Sequence, residues 1–274
     1  MPPPTRRLLG LAWIVAVGAA VRPASGQILA QAYPVEYNLT VKPGEWLTRV
    51  VAIRNLSQIP VVVRVRLSDW RMNQADELDL VPAGTTPVSL RGLVLFEPAE
   101  FSIGPAQTGR VHLTMHLPSG GPATRWGVLL SEVRPARRSK VSFGPRAVAE
   151  LGTQLYLSRI PAEQTRAQLT GMDVRSLGDS SFTVDVYVQN SGDRHLFSSG
   201  EITVTDSTGV EVASGTLATR VVLPRALRVF AWRCDAPVAP GRYSVTVSLD
   251  TGEPELLVGE MKLGWPLSRG SRGP

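Results

Sequence analysis

The chain is predicted to be all-β, folded as two β-sandwiches in tandem. Three features point there: apolar residues recur with period two in almost every segment, Gly, Pro and Asn break those segments at short intervals, and runs of helical period are hard to find. A helical bundle is excluded by this pattern. With 274 residues and 43% apolar residues, the chain is long and apolar enough to fill two cores.

Residues 1–26, MPPPTRRLLGLAWIVAVGAAVRPASG, stand apart. Arg6 and Arg7, an apolar run from Leu8 to Val21, and small residues at Ala24 and Gly26 have the three-part form of a secretory signal cut ahead of Gln27. The run is short for a span across about 30 Å of hydrocarbon, so cleavage and export are expected rather than membrane insertion. Removing Arg6, Arg7 and Arg22 takes the formal charge from +6 to +3, too mild to indicate nucleic-acid binding. Cys234 is the single cysteine, so no intramolecular disulfide is available, and in LRVFAWRC it reads as a small buried apolar residue.

The first sandwich is assigned to residues 27–160. NLTVKPGEW gives a short strand and a Pro-Gly turn, and WLTRVVAIRN alternates until Asn55. PVVVRVRLSDW sets Val61, Val63, Val65 and Leu67 on one face against Val62, Arg64, Arg66 and Ser68, the pattern of a half-buried sheet. ELDLV, LVLFEP and AEFSI follow, then TGRVHLTMHLP with Val111, Leu113, Met115 and Leu117 inward. RWGVLLSEV leads into a basic stretch carrying Arg134, Arg137, Arg138, Lys140 and Arg146, and the last strand places Ala147, Ala149, Leu151, Leu155 and Leu157 on one side. Past the boundary at 158–166, a second series in residues 161–265 comprises AQLTGMDVRS, SFTVDVYVQN, the hairpin EITVTDSTGVEVASG, LRVFAWRC, GRYSVTVSL and LLVGEMKL. Residues 266–274 read as a disordered tail. VVAIRNLSQIPVVVRV and VDVYVQNSGDRHLFSS form a weak internal repeat, each ending an alternating strand at an Asn.

No catalytic motif is present, and no cofactor or metal is expected. His112 and His116 lie four apart on a strand, roughly 13 Å from one another at the usual rise, too far to share a metal. Asp69, Asp76, Glu77 and Asp79 lack the ligand order of a calcium loop and read as a solvated acidic segment. The basic stretch has one aromatic, Phe143, against the several that a nucleic-acid groove stacks on. Trp46 and Trp70 are candidate surface aromatics for sugar binding.

V-x-I-x-N-x-S-x-x-P-V-x-V-x-V at Val51 to Val65, the pair Asp69-Trp70, PxxFxI at Pro98 to Ile103 and RWGVLL at Arg125 to Leu130 occur in an order that resembles the periplasmic pilus-assembly chaperones, the PapD-like family. The resemblance covers most of residues 35–160. It implies two immunoglobulin-like domains, a periplasmic, non-enzymatic protein, and a chaperone that adds a strand to a β-rich secreted or pilin-like subunit before handing it to an outer-membrane usher. Ala147, Ala149 and Leu151 would be the donor positions, preceded by loop contacts from Arg134, Arg137, Arg138, Lys140 and Arg146. The family also holds the subunit's terminal carboxylate with a basic pair in the cleft. The matching positions here are Val35 and Tyr156, neither basic, with Lys42, Arg146 and Arg159 nearest. The alternative is a structural or adhesive envelope module whose last strand is fully covered by its own domain.

Overall fold

A computed structural model describes residues 28–72, 78–136, 148–160, 166–177, 181–235 and 239–267. The expected signal segment, the disordered-tail assignment beyond residue 267, and Arg137, Arg138, Lys140, Arg146 and Ala147 lie outside these residues. Every described element is a strand or a turn.

The first sandwich is built from β1 (Ala30–Tyr33), β2 (Glu36–Val41), β3 (Trp46–Asn55), β4 (Val61–Met72), β5 (Leu78–Pro82), β6 (Val94–Glu97), β7 (Glu100–Ile103), β8 (Thr108–His116), β9 (Thr124–Pro135) and β10 (Ala149–Arg159). One sheet runs β1-β3-β8-β6; the other runs β2-β10-β9-β4-β5, with β7 added to β4. Their inner faces close on a core that includes Val51, Ile53, Val63, Leu113, Leu155 and Leu157, all fully buried. The alternation read from the sequence is therefore the inward face of each strand. β1 escaped that reading because it is only four residues long and ends beside Pro34, which has no N–H to continue a ladder. The chain then changes sheets, so β1 pairs with β3 and β2 pairs in parallel with β10.

The second sandwich contains β11 (Ala167–Ser176), β12 (Phe182–Asn190), β13 (Leu196–Asp206), β14 (Glu211–Val222), β15 (Leu227–Cys234), β16 (Gly241–Asp250) and β17 (Leu257–Trp265). Its sheets run β11-β12-β15 and β14-β13-β16-β17 around Phe182, Val184, Val186, Ile202, Phe230, Val245 and Val247. Cys234 is buried in this core, as its apolar surroundings suggested.

The weak repeat has a structural basis. Asn55 and Asn190 are both fully buried at a strand end. In each, Oδ1 accepts from the backbone N–H two residues on, Ser57 and Gly192, at 2.9 Å. In each, Nδ2 donates to the carbonyl four residues on, Ile59 and Arg194, at 2.8 Å. The same amide reaches Ile103 and Gly104 in the first sandwich and Val222 in the second. One side chain thus satisfies backbone groups of a turn and of a second segment, which a buried turn requires.

The acidic segment is corrected at Asp69, which is fully buried rather than solvated. Oδ2 accepts from the Gly84 and Thr86 N–H groups at 3.1 and 2.9 Å, and Oδ1 accepts from Ser89 Oγ at 2.7 Å. These charge-assisted bonds tie the β5–β6 loop to β4. Asp79 pairs with Arg71 at 3.0 Å, while Asp76 and Glu77 lie outside the described residues.

Candidate functional site

β10 has two faces and two edges, each with a different neighbour. Its odd residues, Ala149, Leu151, Thr153, Leu155 and Leu157, turn toward the first core, with Ala149 and Leu151 half-buried and the last three buried. Along one edge β10 pairs with β9 from Ala149 to Ser158. Along the other it pairs with β2 only from Gln154 to Arg159. Among the described residues, 149–153 therefore have no hydrogen-bonded strand on that side.

Backbone direction follows from one bond. Gln154 N–H donates to Val35 O at 2.9 Å, toward β2. By the period of two, the N–H and C=O groups of Gly152 and Glu150 point the same way, past the start of β2. The odd residues bond to β9 instead. Thr153 Oγ1 donates to Pro34 O at 3.0 Å and closes the inner end of the open stretch. Arg134, expected in the preceding loop, belongs to β9 and lies 3.4 and 3.7 Å from Glu100 and Glu132.

The even residues of β10 face the second sandwich. A lateral row crosses the sheet: Asn38, Tyr156 and Trp126 are register partners across β2, β10 and β9, Trp70 of β4 follows with its ring 6.2 Å from that of Trp126, and Leu80 of β5 pairs with Trp70. Tyr156 is fully buried, edge-on to Trp70 at 6.0 Å and 87°. Leu223 and Phe197 of the second sandwich pack onto this row. Trp70, at 1% exposure, is part of the contact between sandwiches and cannot be a sugar platform. Trp46 is 59% exposed, with its ring 4.2 Å from that of His116.

His195 joins the two sandwiches. Its ring stacks on Tyr156 at 4.7 Å and 18°, with Nε2 3.1 Å from Asn38 Oδ1 and Nδ1 3.4 Å from Ser158 Oγ. Burial, with Arg194 adding to it, lowers the His195 pKa to about 4. Burial, reinforced by Glu36, raises the Tyr156 hydroxyl, which donates to Gln154 Oε1 at 2.6 Å. The two positions matched to the basic cleft pair are thus an uncharged, stacked phenol and Val35, which is 67% exposed.

The His195 shift has a definite sign. The unfolded chain takes up this proton near pH 6.5 and the folded chain near pH 4, so between them the unfolded state binds more protons. The stability from a neutral His195 is complete above pH 6.5 and falls as the pH drops toward 4, by up to about 3 kcal/mol. Urea unfolding midpoints at pH 7 and pH 4.5 should therefore differ less in His195→Gln than in the natural chain.

A cleft of about 400 Å³ between the sandwiches is lined by Val88, Pro122, Thr124, Trp126, Arg159 and Arg225. Arg159 donates to the Ser119 and Gly121 carbonyls at 2.5 and 3.4 Å, and Arg225 pairs with Asp193 at 2.7 Å. Lys42 pairs with Glu45 at 3.6 Å. Among the described residues no group of three or more His, Cys, Asp or Glu could hold a metal.

No family model matches the chain, and no curated protein matches it. Solved structures do. The fold is similar to the class 5 fimbriae chaperone CfaA, with a TM-score of 0.46 and 11% identity over 85% of this chain and 98% of that one. It is similar to the E. coli chaperone DraB, with a TM-score of 0.43 and 14% identity over 85% and 97%. It is also similar to a chain of the CsuC-CsuE chaperone-tip adhesion subunit pre-assembly complex of Acinetobacter baumannii, with a TM-score of 0.45 and 14% identity over 85% and 97%.

Proposed function

We propose that this chain is an exported, periplasmic chaperone that holds a β-rich, pilin-like subunit by strand addition to the open edge of β10, and passes it on for assembly at a surface fibre, with an outer-membrane usher as the receiving partner. The observation that carries this reading is the unequal pairing of β10, which has β9 along Ala149–Ser158 but β2 only along Gln154–Arg159. The outward N–H and C=O groups of Glu150 and Gly152 offer a ladder, and half-buried Ala149 and Leu151 present apolar side chains beside it. Each added hydrogen bond contributes a net of about 1 kcal/mol.

The pairing predicts an alternating exchange pattern. In the chain alone, the Glu150 and Gly152 amides should exchange their hydrogens fast, while Leu151 and Thr153, bonded to β9, are protected. Adding a client subunit should slow Glu150 and Gly152 specifically. Protection of these amides without a client would instead mean that the strand is covered within its own chain, as in an envelope module.

A further inference from the structure

We propose that the client strand taken by this edge carries a cationic side chain at the end that abuts β2, where Glu36 receives it. The inference rests on reading β10 as the lending strand. Glu36 is the first residue of β2 and the register partner of Gln154, so its side chain lies on the same sheet face as Gly152, Gln154 and Tyr156. An added strand must stop there, because Val35 O and Pro34 O already accept from Gln154 N–H and Thr153 Oγ1. Its last side chain on that face then falls beside Glu36.

Glu36 differs from the other acids in the described strands of its sheet. Asp69 is bonded to amides and hydroxyls, Asp79 pairs with Arg71, Glu100 with Arg64 and Arg134, Glu132 with Arg134, and Glu150 with Arg66. Glu36 has no hydrogen bond or ion pair among the described residues, although it is half-buried and burial raises its pKa. A carboxylate withdrawn from water without a partner is unfavourable, and an incoming ammonium or guanidinium offsets that cost. A client carboxylate at the same place would be repelled. This reverses the sign of the contact that the basic pair of the resembled family would make, at the position where Val35 and Tyr156 replace it.

The test uses the full chain and fluorescently labelled nine-residue peptides with blocked termini, alternating Val and Thr, with Lys, norleucine or Glu replacing the terminal Thr at either end. From one end, the Lys peptide should bind about fivefold tighter than the norleucine peptide and the Glu peptide more weakly than both. This preference should collapse in Glu36→Gln, a near-isosteric change at a half-buried position that leaves the fold intact. Equal binding of Lys and norleucine peptides at both ends would overturn the inference while leaving strand addition standing. A Lys preference that persists in Glu36→Gln would overturn it too, by placing the cation elsewhere. Failure of every peptide to bind above a scrambled control would overturn the strand-addition reading itself.

Discussion

Glu150→Pro is expected to abolish capture of a β-rich subunit while leaving the chain folded. The Glu150 N–H points away from β9, so proline removes no bond of the existing sheet, and edge positions with outward N–H groups are where strands accept proline. What it removes is a donor of the open edge, and its ring obstructs an added strand. The lost contact between Glu150 and Arg66, at 2.9 Å with both side chains well exposed, contributes little. Leu151→Asp should abolish capture by a second route, placing a charge where a half-buried apolar side chain would meet the client's groove. Co-purification of a small β-rich partner, read beside the thermal midpoint of each variant, checks both. Unchanged partner yield with either variant would count against strand addition at this edge.

Trp70→Ala is expected to cost about 3–5 kcal/mol, the range for removing a large buried aromatic side chain. Trp70 is in the middle of the aromatic row, edge-on to Tyr156 and 6.2 Å from the Trp126 ring, and its carbonyl accepts from Trp126 Nε1 at 3.1 Å. Truncation opens a cavity under Leu223 and Phe197, so packing between the sandwiches should loosen with the fold. Trp70→Phe is the informative contrast. Among the described residues the buried Trp70 Nε1 has no hydrogen-bond partner, so phenylalanine loses volume but no hydrogen bond and should cost clearly less. Chemical denaturation of both variants distinguishes a packing role from a polar one. Equal losses would mean that the indole N–H has a partner the packing does not reveal.

The strands were legible because each needs only one inward face, and period-two alternation records that face directly, as in Val61, Val63 and Val65. The contact between the sandwiches was less so. Its signal was present in Val128, Leu129 and Leu130, an unbroken apolar run where a half-wet strand would alternate, and in the adjacent pair Leu196-Phe197. Leu129 and Leu196 fill the two cores, while Val128, Leu130 and Phe197 point the other way, into the contact. His195 and Asn38 left no such mark, since a lone polar residue in a turn or on a strand says nothing about what it meets across the chain. Asp69-Trp70 was recognisable as a motif, but its role was not: the carboxylate holds a loop and the indole fills the row between the sandwiches.

The all-β class, the strands and their inward faces, and the non-basic residues at Val35 and Tyr156 can all be read along the chain, because they depend on residue type and local period. Folding settles the rest: among the described residues, β10 is left unpaired at 149–153 on the β2 side, Tyr156 is stacked on His195, and Glu36 has no counter-charge at the end of that edge. Edges, stacks and missing counter-charges are relations between segments distant in the chain. Their energies depend on what folding brings alongside, and no local pattern of residues encodes that.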